Sequence, residues 1–397
     1  MATANEKQIV IFEWATSSFF GWGIYGLNLM LNWALRSDFE AVCAYPIDRL
    51  DLHINPVESK IIESALRASA AIYQARQSWG TQTKKVSTLV LHSLGNRLIA
   101  PATIGIPIIG DPTIGVVFSE STSFGQDARE RAKQYSLIVA GSTWNRDVLI
   151  ANGINPVAVV MQGVDTTYFH PAPRLGVFQN RFVVFSGGKL ESRKGQDLVV
   201  QSFRIFARNH PEALLVTAWS SPWPKWALTL SKNTKLVPIQ FDSDGAPNVL
   251  RWTTDNGISA EQVFHLGPVP HMHLPRIIRE ANVALFPNRA EGGTNLVAME
   301  CMACGVPVIL SANTGHLDLI QHENCFVLEH QEEVDEPGCD GWGKSDVDEI
   351  VAVLETAYAN KEDAASRGRR GSTFISKFTW GVQMAQLAEV LHPFANG

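Results

Sequence analysis

The chain has 397 residues, 45% of them hydrophobic and 18% charged, with a net charge of 33 − 39 = −6. That length exceeds one ordinary core and that composition excludes a disordered chain, so two globular domains are expected. No basic block marks a phosphate-backbone binder, so nucleic acid is not an expected partner.

The N-terminus, MATANEKQIVIFEW, lacks the basic-then-apolar pattern of a secretory leader and reads as a short tail entering a strand. No apolar stretch reaches the roughly 18 residues that a membrane helix needs. Weak peripheral membrane association stays open, with no feature arguing for it. Five cysteines, few and odd in number, imply no disulfide framework, and a reducing cytoplasm fits them best.

Along the chain, short apolar runs alternate with helix-length segments. QIVIFEW precedes GIYGLNLMLNWAL; FEAVCAYP precedes ESKIIESALRASAAIYQARQSW; TLVLHS, GVVFSE and SLIVAGS follow, then TWNRDVLIANG and AVVMQGV. Residues 163–180, GVDTTYFHPAPRLGVFQN, break the pattern with prolines and glycines and read as a linker. The alternation resumes with RFVVFSGG, QDLVVQSFRIFARNH, ALLVTAWS, QVFHLG, LPRIIREA, VALFPN, NLVAMECMA and VPVILSA, and the chain closes on the helical TWGVQMAQLAEVLHPF. Strand-then-helix alternation of this kind predicts two α/β units with parallel sheets, whose ligands bind beyond the carboxyl ends of the strands. The cleft between two such domains is the expected site.

Two glycine-bearing turns stand out. Gly21, Gly23 and Gly26 make a G-x-G-x-x-G pattern after the first strand, without the acidic residue that a dinucleotide site needs at the end of the next strand. Tight helix–strand packing is the plain reading; the favoured one is a loop that lets substrate approach the backbone. The second turn, VVFSGGKLESRKGQDLVV, ends a strand in Gly187 and Gly188. Lys189, Arg193 and Lys194 follow, and a helix opens at Gln196 or Asp197. Cations beside flexible amides suit a diphosphate.

The basic turn GGKLESRKG, the segment EGGTNLVAMECMACGVPVI and the linker entry MQGVDTTYFHP, in one chain, resemble the retaining, GT-B-fold glycosyltransferases of family 4. The resemblance is strongest over residues 180–325. It implies an α/β protein of two Rossmann-like domains facing each other across a deep cleft: an acceptor domain at 1–165, a linker at 166–180, a nucleotide-sugar domain at 181–376, and a last helix at 377–397 that crosses back to the first domain. The implied reaction moves a hexose from a UDP-, GDP- or ADP-sugar to an acceptor hydroxyl with retention, without metal or other cofactor. The acceptor would be a glycan, a lipid-linked molecule or a small molecule. The alternatives are a nucleotide-sugar 2-epimerase-like enzyme and a non-catalytic nucleotide-sugar-binding subunit.

Residue by residue, the resemblance sets Lys189 and Lys194, beside Gly188, on the diphosphate. Glu300 meets the ribose, and Glu291 meets the donor sugar. The amides of Gly292, Gly293, Thr294, Asn295 and Leu296 meet the β-phosphate. Eight residues separate the two glutamates where the family has seven; the extra one is assigned to the turn after Glu291, and otherwise Gly292 would take the first-glutamate position. His92, expected at a strand end, would face the transferred sugar, and Gly21 and Gly23 the acceptor or phosphate.

Other features take blander readings. Asp242 and Asp244 make a solvated turn, Cys301 and Cys304 pack a helix, and His271 and His273 are loop residues before a helix. The Trp219, Trp223 and Trp226 cluster is read equally as pocket wall or core.

Overall fold

A parallel sheet can satisfy apolar strands on both faces only if helices cover it. The computed structural model, which describes residues 7–79, 83–100 and 107–395, builds two such sheets. The chain divides into two compact units, one formed by residues 1–163 with 378–397 and the other by 164–377.

The first unit contains β1 (Gln8–Glu13), α1 (Gly21–Arg36), β2 (Phe39–Cys43), α2 (Pro56–Ile61), α3 (Glu63–Gln77), β3 (Lys84–Lys85), β4 (Val90–Leu94), β5 (Ile108–Ile109), β6 (Thr113–Val117), α4 (Gln126–Ala132), β7 (Leu137–Ala140), α5 (Thr143–Ala151) and β8 (Val157–Val159). Its sheet runs β2-β1-β4-β6-β7-β8, all parallel, with β3 and β5 paired separately.

The second unit contains β9 (Phe182–Gly188), α6 (Gln196–Asn209), β10 (Ala213–Trp219), α7 (Val249–Asp255), β11 (Val263–His265), α8 (Leu274–Ile278), β12 (Val283–Phe286), α9 (Leu296–Ala303), β13 (Val308–Ser311), β14 (Phe326–Leu328), the hairpin strands β15 (Gln331–Glu333) and β16 (Gly343–Ser345), α10 (Val347–Ala359) and α11 (Lys361–Ile375). Its sheet order is β11-β10-β9-β12-β13-β14. The last helix, α12 (Trp380–Ala395), packs in the first unit, where the indole N–H of Trp33 donates to the carbonyl of Met384 at 2.9 Å.

Helix α6 shows why these segments fold as they do. Leu198, Val199, Phe203 and Phe206 share a helical face and join Val184, Leu215 and Leu285 in the core. Each such side chain contributes about 1.5–3 kcal/mol when taken out of water. Asp197 in the first turn and Arg208 in the last complement the helix dipole.

The strand order locates the site. From β9 the chain moves outward through β10 to β11, then returns to β12 on the other side of β9. The carboxyl ends of β9 and β12 therefore flank a topological switch point, where such sheets open a crevice. The first unit has the same reversal between β1 and β4.

Candidate active site

At the switch point of the second unit, the turn after β9 is drawn onto the end of β12. Gly195 closes that turn with φ 71°, and a Cβ there would fall 2.1 Å from the carbonyl oxygen of Pro287. Only glycine accepts both conditions. The two segments are then laced together. The amide of Arg289 donates to the carbonyl of Arg193 at 2.7 Å. The Arg289 guanidinium grips both oxygens of buried Asp197, at 2.8 and 2.7 Å, and also reaches the carbonyl of Ser192. A planar fork on a carboxylate fixes direction as well as distance.

This lacing brings two cations onto Glu291. Lys194 Nζ donates to Oε1 at 2.5 Å, Arg193 donates to Oε2 at 3.1 Å, and the Asn288 amide also donates to the carboxylate. Arg193 is steadied by the carbonyl of Ala290 at 2.8 Å and by Glu191 at 2.6 Å. Burial pushes the Glu291 carboxyl up, but Lys194 and Arg193 more than reverse that and hold it at about 2. The group is a fixed anion at neutral pH.

Glu300, nearly fully buried within α9, accepts from His271 Nε2 at 2.5 Å, and the His271 ring packs on Phe169 with centroids 4.7 Å apart. Gly292, Gly293, Thr294 and Asn295 form the turn from Glu291 into α9, with Asn295 at φ 65° as the N-cap and Leu296 as the first helical residue. Glu291, at the start of this turn, brings its carboxylate to Lys194. Amides at the start of α9 have no helical carbonyl to meet, and that of Ala298 donates to the Asn295 side chain at 3.4 Å. Behind the turn, Asn295 donates to His316 Nε2 at 2.9 Å, so the imidazole proton sits on Nδ1, toward Ser311. Burial holds His316 neutral, with its pKa lowered to about 4.

Gly188 ends β9 at φ 124°, and Lys189 Nζ lies 4.8 Å from the ring centre of Trp223. The tryptophans divide: Trp219 is core and donates to Ser186 at 3.1 Å, whereas Trp223 and Trp226 are exposed. Asp242 and Asp244 accept from Asn248 and from the amide of Ala246, as turn residues do. Cys301 and Cys304 are buried, with thiols that burial pushes up, Cys304 to about 12. Among the described residues, no group of three or more His, Cys, Asp or Glu side chains is placed to hold a metal ion.

Two expectations in the first unit are corrected. His92 is the central residue of β4, not a strand end, and is almost fully buried. Its Nε2 lies 2.8 Å from the Ile108 carbonyl and 3.2 Å from Glu13, and its Nδ1 is 3.3 Å from the Tyr135 hydroxyl. Both nitrogens are thus taken by protein groups, and burial lowers the pKa. Gly23 lies inside α1, not in a loop. A Cβ there would stand 2.7 Å from the backbone nitrogen of Ser17. Gly21, at the start of α1, has only Gln162 within 4 Å of such a position, at 3.9 Å.

Arg193 stood in the basic turn but was not assigned a role. The sequence carries no signal for Asn288, Arg289, Asp197, His316 or Thr314, whose hydroxyl accepts from the Glu291 amide at 2.8 Å, and it places His271 only in a loop.

A pair of Rossmann-like α/β units is the architecture of the GT-B fold. Residues 181–336 match the glycosyl transferases group 1 family. Over that stretch the chain is similar to the family, as its motifs are to the family-4 enzymes. It is 27% identical over 244 residues to a GDP-mannose-dependent alpha-(1-6)-phosphatidylinositol monomannoside mannosyltransferase of Mycolicibacterium smegmatis, covering 58% of this chain and 54% of that one. It is 30% identical over 190 residues to D-inositol 3-phosphate glycosyltransferase 1 of Catenulispora acidiphila, covering 45% and 41%. The chain thus spans about half the length of the curated relatives it matches. Among solved structures it is similar to HepE of Anabaena in complex with UDP, with a TM-score of 0.60, 14% identity and coverage of 97% and 100%. It is also similar to sucrose-phosphate synthase of Thermosynechococcus elongatus, with a TM-score of 0.64, 14% identity and coverage of 98% and 99%. No helix among the described residues is long and apolar enough to cross a membrane.

Proposed function

We propose that the protein moves a hexose from a nucleotide-diphosphate sugar to an acceptor hydroxyl, with retention of anomeric configuration and without a resident metal. The observation that carries this reading is the buried Glu291 carboxylate with Lys194 and Arg193 on it, at the switch point of the second unit. The names of the relatives, one of them GDP-mannose-dependent, and the UDP bound to a structural neighbour support the donor class.

In this reading the donor's diphosphate takes up Lys194 and Arg193, with Lys189 and the first amides of α9 beside it. These groups stabilise charge where it develops as the bond from the anomeric carbon to the phosphate oxygen breaks. The acceptor oxygen bonds to the anomeric carbon from the same face, and its proton passes to the departing phosphate oxygen. Glu291, ionised throughout, accepts a hydrogen bond from a sugar hydroxyl, so it grips and does not serve as an acid. Glu300, oriented by His271, accepts from the ribose. The first unit receives the acceptor: a glycan, a lipid-linked molecule or a small molecule. Five free cysteines suit a reducing compartment such as the cytoplasm.

The test is turnover of radiolabelled UDP-, GDP- and ADP-sugars in the presence of cell extract. One donor is expected to be hydrolysed or transferred, and Lys194→Ala is expected to slow it about 10²–10³-fold. Near-normal turnover by that variant would remove Lys194 from the diphosphate. Binding without turnover would make the protein a non-catalytic nucleotide-sugar-binding subunit.

A further inference from the structure

At the opposite, amino-terminal edge of the same sheet lies a cavity of about 330 Å³. Phe182 at the start of β9, Asn282 before β12, and Val306 and Pro307 before β13 form its floor. Four cations line it: Arg174, Arg279, Lys361 and Arg369. No aspartate or glutamate does. None of the four forms a salt bridge among the described residues, in a chain whose net charge is −6. Lys361 feels Glu212 only at longer range. Arg174, Lys361 and Arg369 are exposed; Arg279 is half-buried, and most other buried or half-buried cations of this unit are paired: Arg193 and Lys194 with Glu291, Arg289 with Asp197, and Arg367 with Asp363. Four unneutralised cations around one concavity repel one another and lower the cost of bringing in an anion.

We propose that this cavity is a second anion site, distinct from the donor site, that takes a phosphate ester. Its volume falls in the range of small-molecule pockets, enough for a phosphorylated sugar or a mononucleotide. Three guanidinium groups and one ammonium are the donors such an anion selects, the former through planar two-point contacts. The same chemistry would recognise the phosphate of a lipid headgroup.

The site is also tied to the donor grip. Arg279 donates from Nε to the carbonyl of His170 at 2.8 Å and from a terminal nitrogen to that of Tyr168 at 2.6 Å. Between those two residues sits Phe169, whose ring packs on His271, and His271 holds Glu300. Cys304, the C-cap of α9, lines the cavity too, while Glu300 lies one helical turn back on the same helix. An anion that draws Arg279 toward the cavity competes with both carbonyls and loosens the seat of His271, which weakens the ribose contact. Coupling of this kind is reciprocal.

Calorimetric titration of inorganic pyrophosphate tests the site. The protein carries Lys194→Ala, which breaks the donor grip, with or without Lys361→Glu and Arg369→Glu, two exposed changes on α11. Pyrophosphate is expected to bind the former and to bind the charge-reversed protein at least about tenfold more weakly. Thermal melting checks that both are folded. A parallel arm sediments the protein with vesicles of phosphatidylglycerol or of phosphatidylcholine. Binding to phosphatidylglycerol alone, lost on charge reversal, would support the site and assign its phosphate to a lipid headgroup. Otherwise free phosphate esters are the ligand. Pyrophosphate is also expected to weaken nucleoside-diphosphate binding about fivefold more in protein with a native cavity than in the charge-reversed protein. Equal pyrophosphate affinity in the two proteins, or no binding in either arm, would overturn the proposal.

Discussion

Each unit buries a carboxylate at its switch point, and the two carboxylates behave in opposite ways. Glu13 ends β1 and stands in register with His92 of β4; Arg76 Nη1 lies 3.1 Å away, and the amide of Ile108 donates to it at 3.2 Å. One arginine does not offset burial there, so the Glu13 carboxyl is pushed up. Glu291 is at least as deep but has two cations and the Asn288 amide, and its carboxyl is held at about 2. Burial alone therefore does not distinguish a binding carboxylate from a structural one; the number of cations brought to it does. The first cluster ties strands and loops together. In the proposed reading, the second stores cations that an incoming diphosphate claims.

The largest contrast should come from removing one member of each cluster. Glu291→Gln is expected to slow donor turnover about 10²-fold or more while the protein stays folded, because the neutral amide still bonds to Lys194. Arg76→Ala strands Glu13 and is expected to cost about 3–5 kcal/mol of stability in urea unfolding. If instead Arg76→Ala left stability unchanged, the first cluster would not be structural.

Acid titration should give a smaller effect of known sign. The His316 pKa falls from the ordinary 6.5 to about 4 on folding, so the unfolded chain binds more protons in between. Its stability contribution is complete above pH 6.5 and drains away as pH falls toward 4. At pH 5 the loss is about 2 kcal/mol. His92, also lowered, acts in the same direction. Urea midpoints at pH 7 and pH 5 should differ less for His316→Asn than for the parent; equal differences would mean that His316 does not titrate as described.

The smallest effect expected is that of His92→Asn on turnover. With both ring nitrogens engaged by Ile108, Glu13 and Tyr135, its loss should change turnover by less than about tenfold. A loss of 10³-fold would return His92 to the reacting sugar.

Much of this was legible because it was local. Strand–helix alternation, the cations of the 189–194 turn and the spacing of Glu291 and Glu300 are short-range patterns that a sheet switch point converts into a site. The Arg289–Asp197 pair was not legible, because its partners are 92 residues apart and meet only when β12 docks beside β9. His92 was misplaced by strand length: β4 runs two residues past it. For Gly23, a glycine pattern reports close approach without saying what approaches, and Ser17 is what stands against it. His271 became a site residue only once the loop before α8 folded over Glu300.

The central claim is that Lys194, held on Glu291, is released to a nucleotide's diphosphate. Calorimetric titration of UDP and GDP into the parent protein and into Lys194→Ala measures this most directly. One nucleotide should bind the parent and bind the variant at least about tenfold more weakly, as expected for a lost charge-assisted contact. Equal affinity in the two proteins would contradict the claim.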